Sequence, residues 1–289
     1  MIELSDEVRA ALEAGEPVVA LETTLVAHGF PPGEGVEVGL ESERRVRAGG
    51  AVPATIGVLD GRLRAGMTEE ELARFAPDSR KLGPRDLAAC VAQGAVGATT
   101  VGGTLAVCRV AGIRFLGTGG IGGVHRGALD VSADLAELAR TRVLVVSSGV
   151  KSLLDVPATV EVLEALGVPL LGYRTDELPL FYSALGGPRV SARVESAGEA
   201  AAVARAHWEL DRAGLLLGNP PAESLDDVEP LIERALAEAD AGEISGGDVT
   251  PFVLAYLHRE SGGRTLATNR RLIADNAQLA AEVAASSVG

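Results

Sequence analysis

At 289 residues, rich in alanine, glycine, valine and leucine with only 3% aromatics, the chain can bury one sizeable core and has the composition of an α/β enzyme, which excludes a disordered or fibrous protein. Its 26 basic and 40 acidic side chains give a formal net charge of −14, which repels a polyanion unless the basic groups gather on one face; nucleic acid is disfavoured as a partner and a small anion is permitted. No apolar run approaches the roughly 18 residues needed to span a bilayer, and the acidic, amphipathic start MIELSDEVRAALEAGE lacks a signal core, so a cytoplasmic protein with no membrane partner is expected.

In chain order, residues 5–14 read as a helix closed by Gly15, and 18–21 as a short apolar strand of the kind buried in a sheet. A glycine-rich loop then enters a helix around 34–48. The run 55–59, the pair Asp60-Gly61 and the run 62–65 spell a hairpin, and Thr68 with Glu71 a capping box for the next helix. Pro84 suits the first turn of a helix, and 98–101, 114–117, 143–147, 169–172 and 215–217 are short strand candidates separated by helices. The alternation predicts an α/β fold with a mostly parallel, mixed sheet covered by helices on both faces and an attached β-hairpin. With no internal repeat, low-complexity tract or linker, residues 1–289 are expected to form a single domain.

Sites in such folds gather where loops leave the carboxyl ends of the strands, which gives the motifs a common address. Glu22 follows the strand 18–21, a glycine-rich run follows 114–117, and Lys151 follows 143–148. If these strands are neighbours, an acid, a glycine loop and an amine meet at one sheet edge. Lys81 and Lys151 are the only lysines, against twenty-four arginines. A lysine can lose its proton when desolvated and attack a carbonyl, whereas a guanidinium stays protonated, so the pair are candidates for amine chemistry or, more plainly, for retained charge. Gly117, Gly119 and Gly122 match the dinucleotide pattern GxGxxG, but the glycines run on into His-Arg-Gly and the strand 143–147 ends without the acid that would hold a ribose. A dinucleotide-dependent oxidoreductase is therefore the weaker alternative to a loop whose amides cradle one phosphate with help from Thr118, His125 and Arg126. Asp130 and Asp134, flanking Ser132 before a helix, read first as caps, although one carboxylate plus waters could hold a hard divalent cation. The spacings offer no zinc site, and His28, His207 and His258 show no ligand pattern. Cys90 and Cys108 are expected to be small buried thiols.

The blocks ALETTLVAHG (20–29), GAVPATI (50–56), LDG (59–61), ATTV (98–101), TGGIGGVHRG (118–127), SADL (132–135) and KSLLD (151–155), continued by GVP (167–169), TPF (250–252) and Asn269, resemble the pseudouridine-5′-phosphate glycosidases across nearly the whole chain. The resemblance implies reversible conversion of pseudouridine 5′-phosphate and water into uracil and ribose 5-phosphate, in a homotrimer using a divalent metal, typically Mn²⁺. In a C-nucleoside the ribose C1′ is bonded to C5 of uracil, so protonating a leaving oxygen is no help and another electron sink is needed. An imine at C1′ supplies it while an acid delivers a proton to C5. The resemblance makes Lys151 the nucleophile, Glu22 the proton donor and acceptor, and Lys81 a substrate-binding residue. It also implies substrate contacts at Val101, Ser132, Ala133 and Asp134, a metal ligand at Asp130, and Thr118, His125 and Asn269 near the phosphate or ribose.

The chain departs from the family pattern in a shorter spacer before Asp130, in Leu-Gly-Pro after Lys81, in Gly218-Asn-Pro-Pro-Ala222 and in the bulkier Val150 before Lys151. A catalytically inactive sugar-phosphate-binding protein is the alternative from another class, and it would have little reason to keep both Glu22 and Lys151. An RNA-modifying pseudouridine synthase is disfavoured by the acidic balance.

Overall fold

The computed structural model describes residues 2–126, 130–225, 227–244 and 246–288. Its strands are β1 (Ile2–Leu4), β2 (Val18–Glu22), β3 (Val52–Leu59), β4 (Arg62–Ala65), β5 (Arg80–Leu82), β6 (Gly97–Thr99), β7 (Phe115–Gly117), β8 (Val124–His125), β9 (Leu144–Ser147), β10 (Leu154–Asp155), β11 (Leu170–Tyr173), β12 (Ala192–Val194) and β13 (Leu215–Gly218). Among the described residues eleven strands form one sheet in the order β1-β4-β3-β2-β7-β9-β13-β11-β12, with β6 also pairing β3 and β5 pairing β6, while β8 and β10 pair separately. The pairings from β3 through β2, β7, β9, β13 and β11 to β12 are all parallel; only β3–β4 and β3–β6 run antiparallel within this sheet.

Successive side chains of a strand point to opposite faces, and here both faces are buried. Val18, Ala20, Leu116, Val145 and Leu216 enter one core; Val19, Leu21, Phe115, Val146 and Leu217 enter the other. The first is closed by Leu105 of helix Val101–Ala111 and by Leu135 and Leu138 at the end of helix Ala133–Leu138. The second is closed by Val46 of helix Gly35–Ala48, Trp208 of helix Ala197–Glu209 and the alanines of helix Arg264–Ser286. That last helix lies very close: a Cβ on Gly117 would come within 2.9 Å of the Ala277 Cα. Burying each large aliphatic side chain contributes about 1.5–3 kcal/mol, which is why short strands with weak individual signals hold together.

Local signals behave as their chemistry requires. Gly15 caps helix Asp6–Ala14 in the left-handed conformation, Asp60 and Gly61 turn the β3–β4 hairpin at φ 51° and 73°, and Thr68 with Glu71 forms the capping box of the short helix Glu69–Leu72. Other details differ from expectation. Pro84 sits in a turn, and its helix starts only at Leu87. The strand expected over 98–101 ends at Thr99, because Thr100 becomes an N-cap, accepting from the Gly103 N–H at 3.2 Å, and Val101 opens the helix. Helix Thr24–His28 follows Glu22 directly, and β5, three residues long and too short for a periodic signal, carries Lys81. No helix among the described residues is long and apolar enough to cross a membrane.

Candidate active site

β2, β7 and β9 lie side by side and parallel, with Leu21 beside Gly117 and Gly117 beside Val146, so the residues that follow them emerge at one sheet edge. Glu22 ends β2 and is 5% exposed. Its carboxylate is held from both oxygens: the Thr118 hydroxyl donates to Oε1 at 2.5 Å and the Thr24 hydroxyl donates to Oε2. Buried threonines fix the turn that carries Thr24. Thr23 donates to the Ile56 carbonyl at 2.8 Å and accepts from the Thr99 N–H at 2.9 Å, while Thr99 donates to the same carbonyl at 2.7 Å.

The glycine-rich run after β7 is a packed wall. The amides of Thr118, Ile121, Gly122, Val124 and His125 donate to the Val146 carbonyl, the Gly149 carbonyl, Asp134 Oδ2, Thr159 Oγ1 and the Asp130 carbonyl. No helix opens within the GxGxxG match, since β8 follows it, so the dinucleotide alternative lacks its geometry. Those five amides are also spent on the fold instead of forming a phosphate cradle. Arg126 is likewise committed, donating to the carbonyls of Ser152 at 2.7 Å and Leu154 at 3.2 Å and pairing with Glu229 at 2.8 Å. Residues 127–129, within the glycine run and the spacer before Asp130, lie outside the described residues.

Asp134 staples this wall to the next element. Its Oδ1 accepts from the Gly102 N–H at 2.7 Å, in the first turn of helix Val101–Ala111, and its Oδ2 accepts from the Gly122 N–H at 2.8 Å. Gly122 is required there: a Cβ would come within 2.3 Å of Ser132 Oγ. Ser132 caps helix Ala133–Leu138, so Asp134 lies inside the first turn and Asp130 outside the helix. Val101 is 1% exposed, which leaves its backbone as what it can offer a ligand.

Two adjoining compartments meet at this edge. The inner, of about 60 Å³, is lined by Glu22, Thr118, Gly119, Gly120 and Asn269, with apolar walls from Leu25, Phe30, Phe181, Leu254 and Ile273. The outer basin, of about 760 Å³, is lined by His125, Asp130, Ser132, Ala133 and Asp134 and by Arg85, Arg109 and Arg140. Lys81, Lys151, Thr24 and Thr250 line both. A groove of about 840 Å³ beside Arg126, Tyr182 and Leu185 is larger, yet Glu22 and the two lysines do not line it, so size does not locate the chemistry.

Lys151 is half-buried after Gly149, whose φ of 85° and contact with the Pro179 carbonyl admit no side chain, and after Val150, which is fully buried. Lys81 keeps accessible surface within the basin. Burial of the rest and the charge of Lys151 push its ammonium below the usual lysine range, against the opposing pull of Asp134, Glu22 and Asp248. Asn269 is 3% exposed and its Oδ1 has no hydrogen-bond partner among the described residues, an acceptor held ready in the inner compartment. Asp130 stands partly open to the basin, 3.8 Å from His125 Nε2. No three His, Cys, Asp or Glu side chains cluster as a metal site among the described residues. One carboxylate beside an imidazole and open solvent suits a hard cation that keeps much of its hydration.

Sequence reasoning missed three contributors. Thr24 was hidden in a Thr-Thr pair, and Phe181, at a φ of 63° against Gly120, has no local signature. Asn276 is fully buried and donates to the Thr118 carbonyl at 2.8 Å and Ser148 Oγ at 3.1 Å, while its Oδ1 accepts from Asn219 at 2.9 Å. An asparagine among the alanines of an apolar helix face was the available signal. Cys90 and Cys108 are buried free thiols, as expected.

The family model described as indigoidine synthase A like protein matches residues 7–286. A pseudouridine-5′-phosphate glycosidase of Herpetosiphon aurantiacus is 50% identical over 97% of this chain and 96% of its own, and one of Deinococcus radiodurans 48% identical over 98% and 94%. Two crystal structures each superpose with a TM-score of 0.90 at 39% identity, covering 100% of this chain and 97% of theirs. One is an indigoidine synthase A-like protein from Thermotoga maritima, the other the prealnumycin C-glycosynthase AlnA in complex with ribulose 5-phosphate. With an acid at the end of β2 and an amine after β9, the parallel strands that flank β7, and with relatives that cover it so fully, the chain belongs to the indigoidine synthase A-like family of pseudouridine-5′-phosphate glycosidases.

Proposed function

We propose that the chain reversibly cleaves the carbon–carbon glycosidic bond of pseudouridine 5′-phosphate, giving uracil and ribose 5-phosphate. The observation that carries this is the meeting of Glu22 and Lys151 around one compartment, at the end of β2 and after β9, the two parallel strands that flank β7. The relatives' names support the substrate, and the neighbour bound to ribulose 5-phosphate supports a pentose phosphate in this fold.

The two compartments favour one orientation. Apolar walls and the Glu22 carboxylate make the inner compartment hostile to a phosphate dianion, whereas Lys81 and His125 of the basin attract it, the basin arginines being paired with Asp86 and Glu137. The base therefore points inward and the phosphate outward, with C1′ at Lys151 between them. Asn269, on the base side, offers its unpartnered Oδ1 to a ring N–H or a ribose hydroxyl. The basin side is bordered by Ser132 and Ala133, with Asp134 acting through the amides it holds, whereas Val101 lines neither compartment. The inner room of about 60 Å³ suits about two waters, so a planar ring enters only as its lining adjusts.

The amine of Lys151 attacks C1′, displacing the ring oxygen, which takes up a proton as the sugar opens. Glu22 gives its proton to C5 of the base. The nitrogen lone pair then forms the C1′ iminium while the pair of the C1′–C5 bond stays with the base and restores its C5=C6 double bond. Water hydrolyses the iminium to ribose 5-phosphate. In the reverse direction the Glu22 carboxylate removes the C5 proton. A divalent cation, Mn²⁺ by family resemblance, would be held by Asp130 with His125 beside it, and would supply positive charge toward the phosphate. The reading includes a cytoplasmic homotrimer, which equilibrium sedimentation tests.

Borohydride reduction in the presence of ribose 5-phosphate, read by peptide mass spectrometry, is the direct test: a pentose phosphate adduct on Lys151 is expected, and none there refutes the mechanism. Lys151→Arg should keep the charge and lose both adduct and turnover; an active variant counts equally against it.

A further inference from the structure

We propose that Thr24 is a positioning residue for proton transfer: with Thr118 it clamps the two oxygens of Glu22 and fixes the carboxyl plane toward the base. The proposal rests on the function proposed above. Each threonine hydroxyl has one proton, and in the structure each spends it on a different oxygen of the same carboxylate. Two such donors, one on each oxygen, stop rotation about the bond to the carboxyl group. The two hydroxyls are not equivalent. Thr118 is 1% exposed and faces the inner compartment alone, whereas Thr24 is 8% exposed and borders both compartments.

Thr24 reaches its place without a cap or a core role to explain it. It opens helix Thr24–His28, whose N-cap Thr23 is held elsewhere by Ile56 and Thr99, so the Thr24 hydroxyl is spent on Glu22 and not on helix geometry. The charged and titratable groups facing Glu22 are Lys151, Lys81 and His28 around the inner compartment, with Asp134 and Asp248 beyond them in the basin. Replacing Thr24 leaves all of them in place.

The test is the split between kcat and KM for pseudouridine 5′-phosphate cleavage in T24V, T24S and T118V, with borohydride trapping of ribose 5-phosphate run alongside. Valine keeps the shape of threonine and removes the donor, so the carboxyl group of Glu22 is free to turn. In T24V kcat should fall about tenfold or more with KM within about twofold of wild type, because a hydrogen bond to a charged group is worth about that much. T24S restores the donor and should return kcat toward wild type; T118V should lower kcat in the same way, and all three should still form the Lys151 adduct. A kcat that stays put in T24V, or a T24S variant no nearer to wild type than T24V, overturns the proposal and leaves the chemistry standing. An active Glu22→Gln enzyme would overturn the proposed function and this inference with it.

Discussion

Replacing Asp134 by asparagine separates a structural staple from a substrate ligand. The carboxylate, 6% exposed, accepts from Gly102 at 2.7 Å and Gly122 at 2.8 Å, and so joins a helix start to the wall that contains Thr118. An asparagine side chain can accept from only one of these amides and turns an N–H₂ toward the other. The loss is one charge-assisted bond plus the cost of a buried N–H without a partner, about 2–5 kcal/mol together. Spread over 289 residues, a melting entropy of about 2.1 cal/mol/K per residue converts that into a fall in Tm of about 3–8 °C. Calorimetry on ligand-free enzyme is the assay, because a residue that only contacts substrate has no effect there. A D134N melt within about 1 °C of wild type, accompanied by a raised KM, refutes the staple and restores direct substrate contact.

Lys81 is exposed as a residue, but the protein around its ammonium and the charge of Lys151 hold it below the usual lysine range, so KM for the nucleotide should rise with pH earlier than an ordinary lysine would dictate. Lys81→Arg should postpone that rise, since a guanidinium keeps its proton, and identical KM–pH curves would count against a charge role. His258, pushed by burial to about 4 from 6.5, binds fewer protons folded than unfolded between those values, so stability should fall as pH drops through that window. His258→Leu should flatten the fall in urea midpoints between pH 7 and 4.5; an unchanged slope assigns it elsewhere. Cys90 and Cys108, both buried with burial raising their thiol pKa values, should resist alkylation until the chain unfolds, as thiol counting in native buffer would show.

The order of elements was legible because each central strand is a short apolar run buried on two faces, and each turn uses residues that the backbone conformation demands, Gly15 and Asp60-Gly61 among them. The strand β5 was not, since three residues cannot display a period and its pairing with β6 is decided in space. The same division runs through the site. Glu22 and Lys151 declare themselves by type and by strand-end position, which is the kind of information a sequence carries. What each polar group is bonded to is different information. Arg126 looks like a phosphate ligand until Ser152, Leu154 and Glu229 claim its guanidinium, and Thr118 looks like one until Glu22 claims its hydroxyl. Asn276 secures the same wall from a helix 158 residues away in sequence, through contacts that no spacing announces. The scarcity of lysine can be weighed in the same way. It marked two amines, but only position separates them: Lys151 lines the inner compartment with Glu22, where the proposed chemistry needs an amine, and Lys81 reaches the shared mouth from an edge strand, where the proposed orientation needs only a positive charge toward the phosphate.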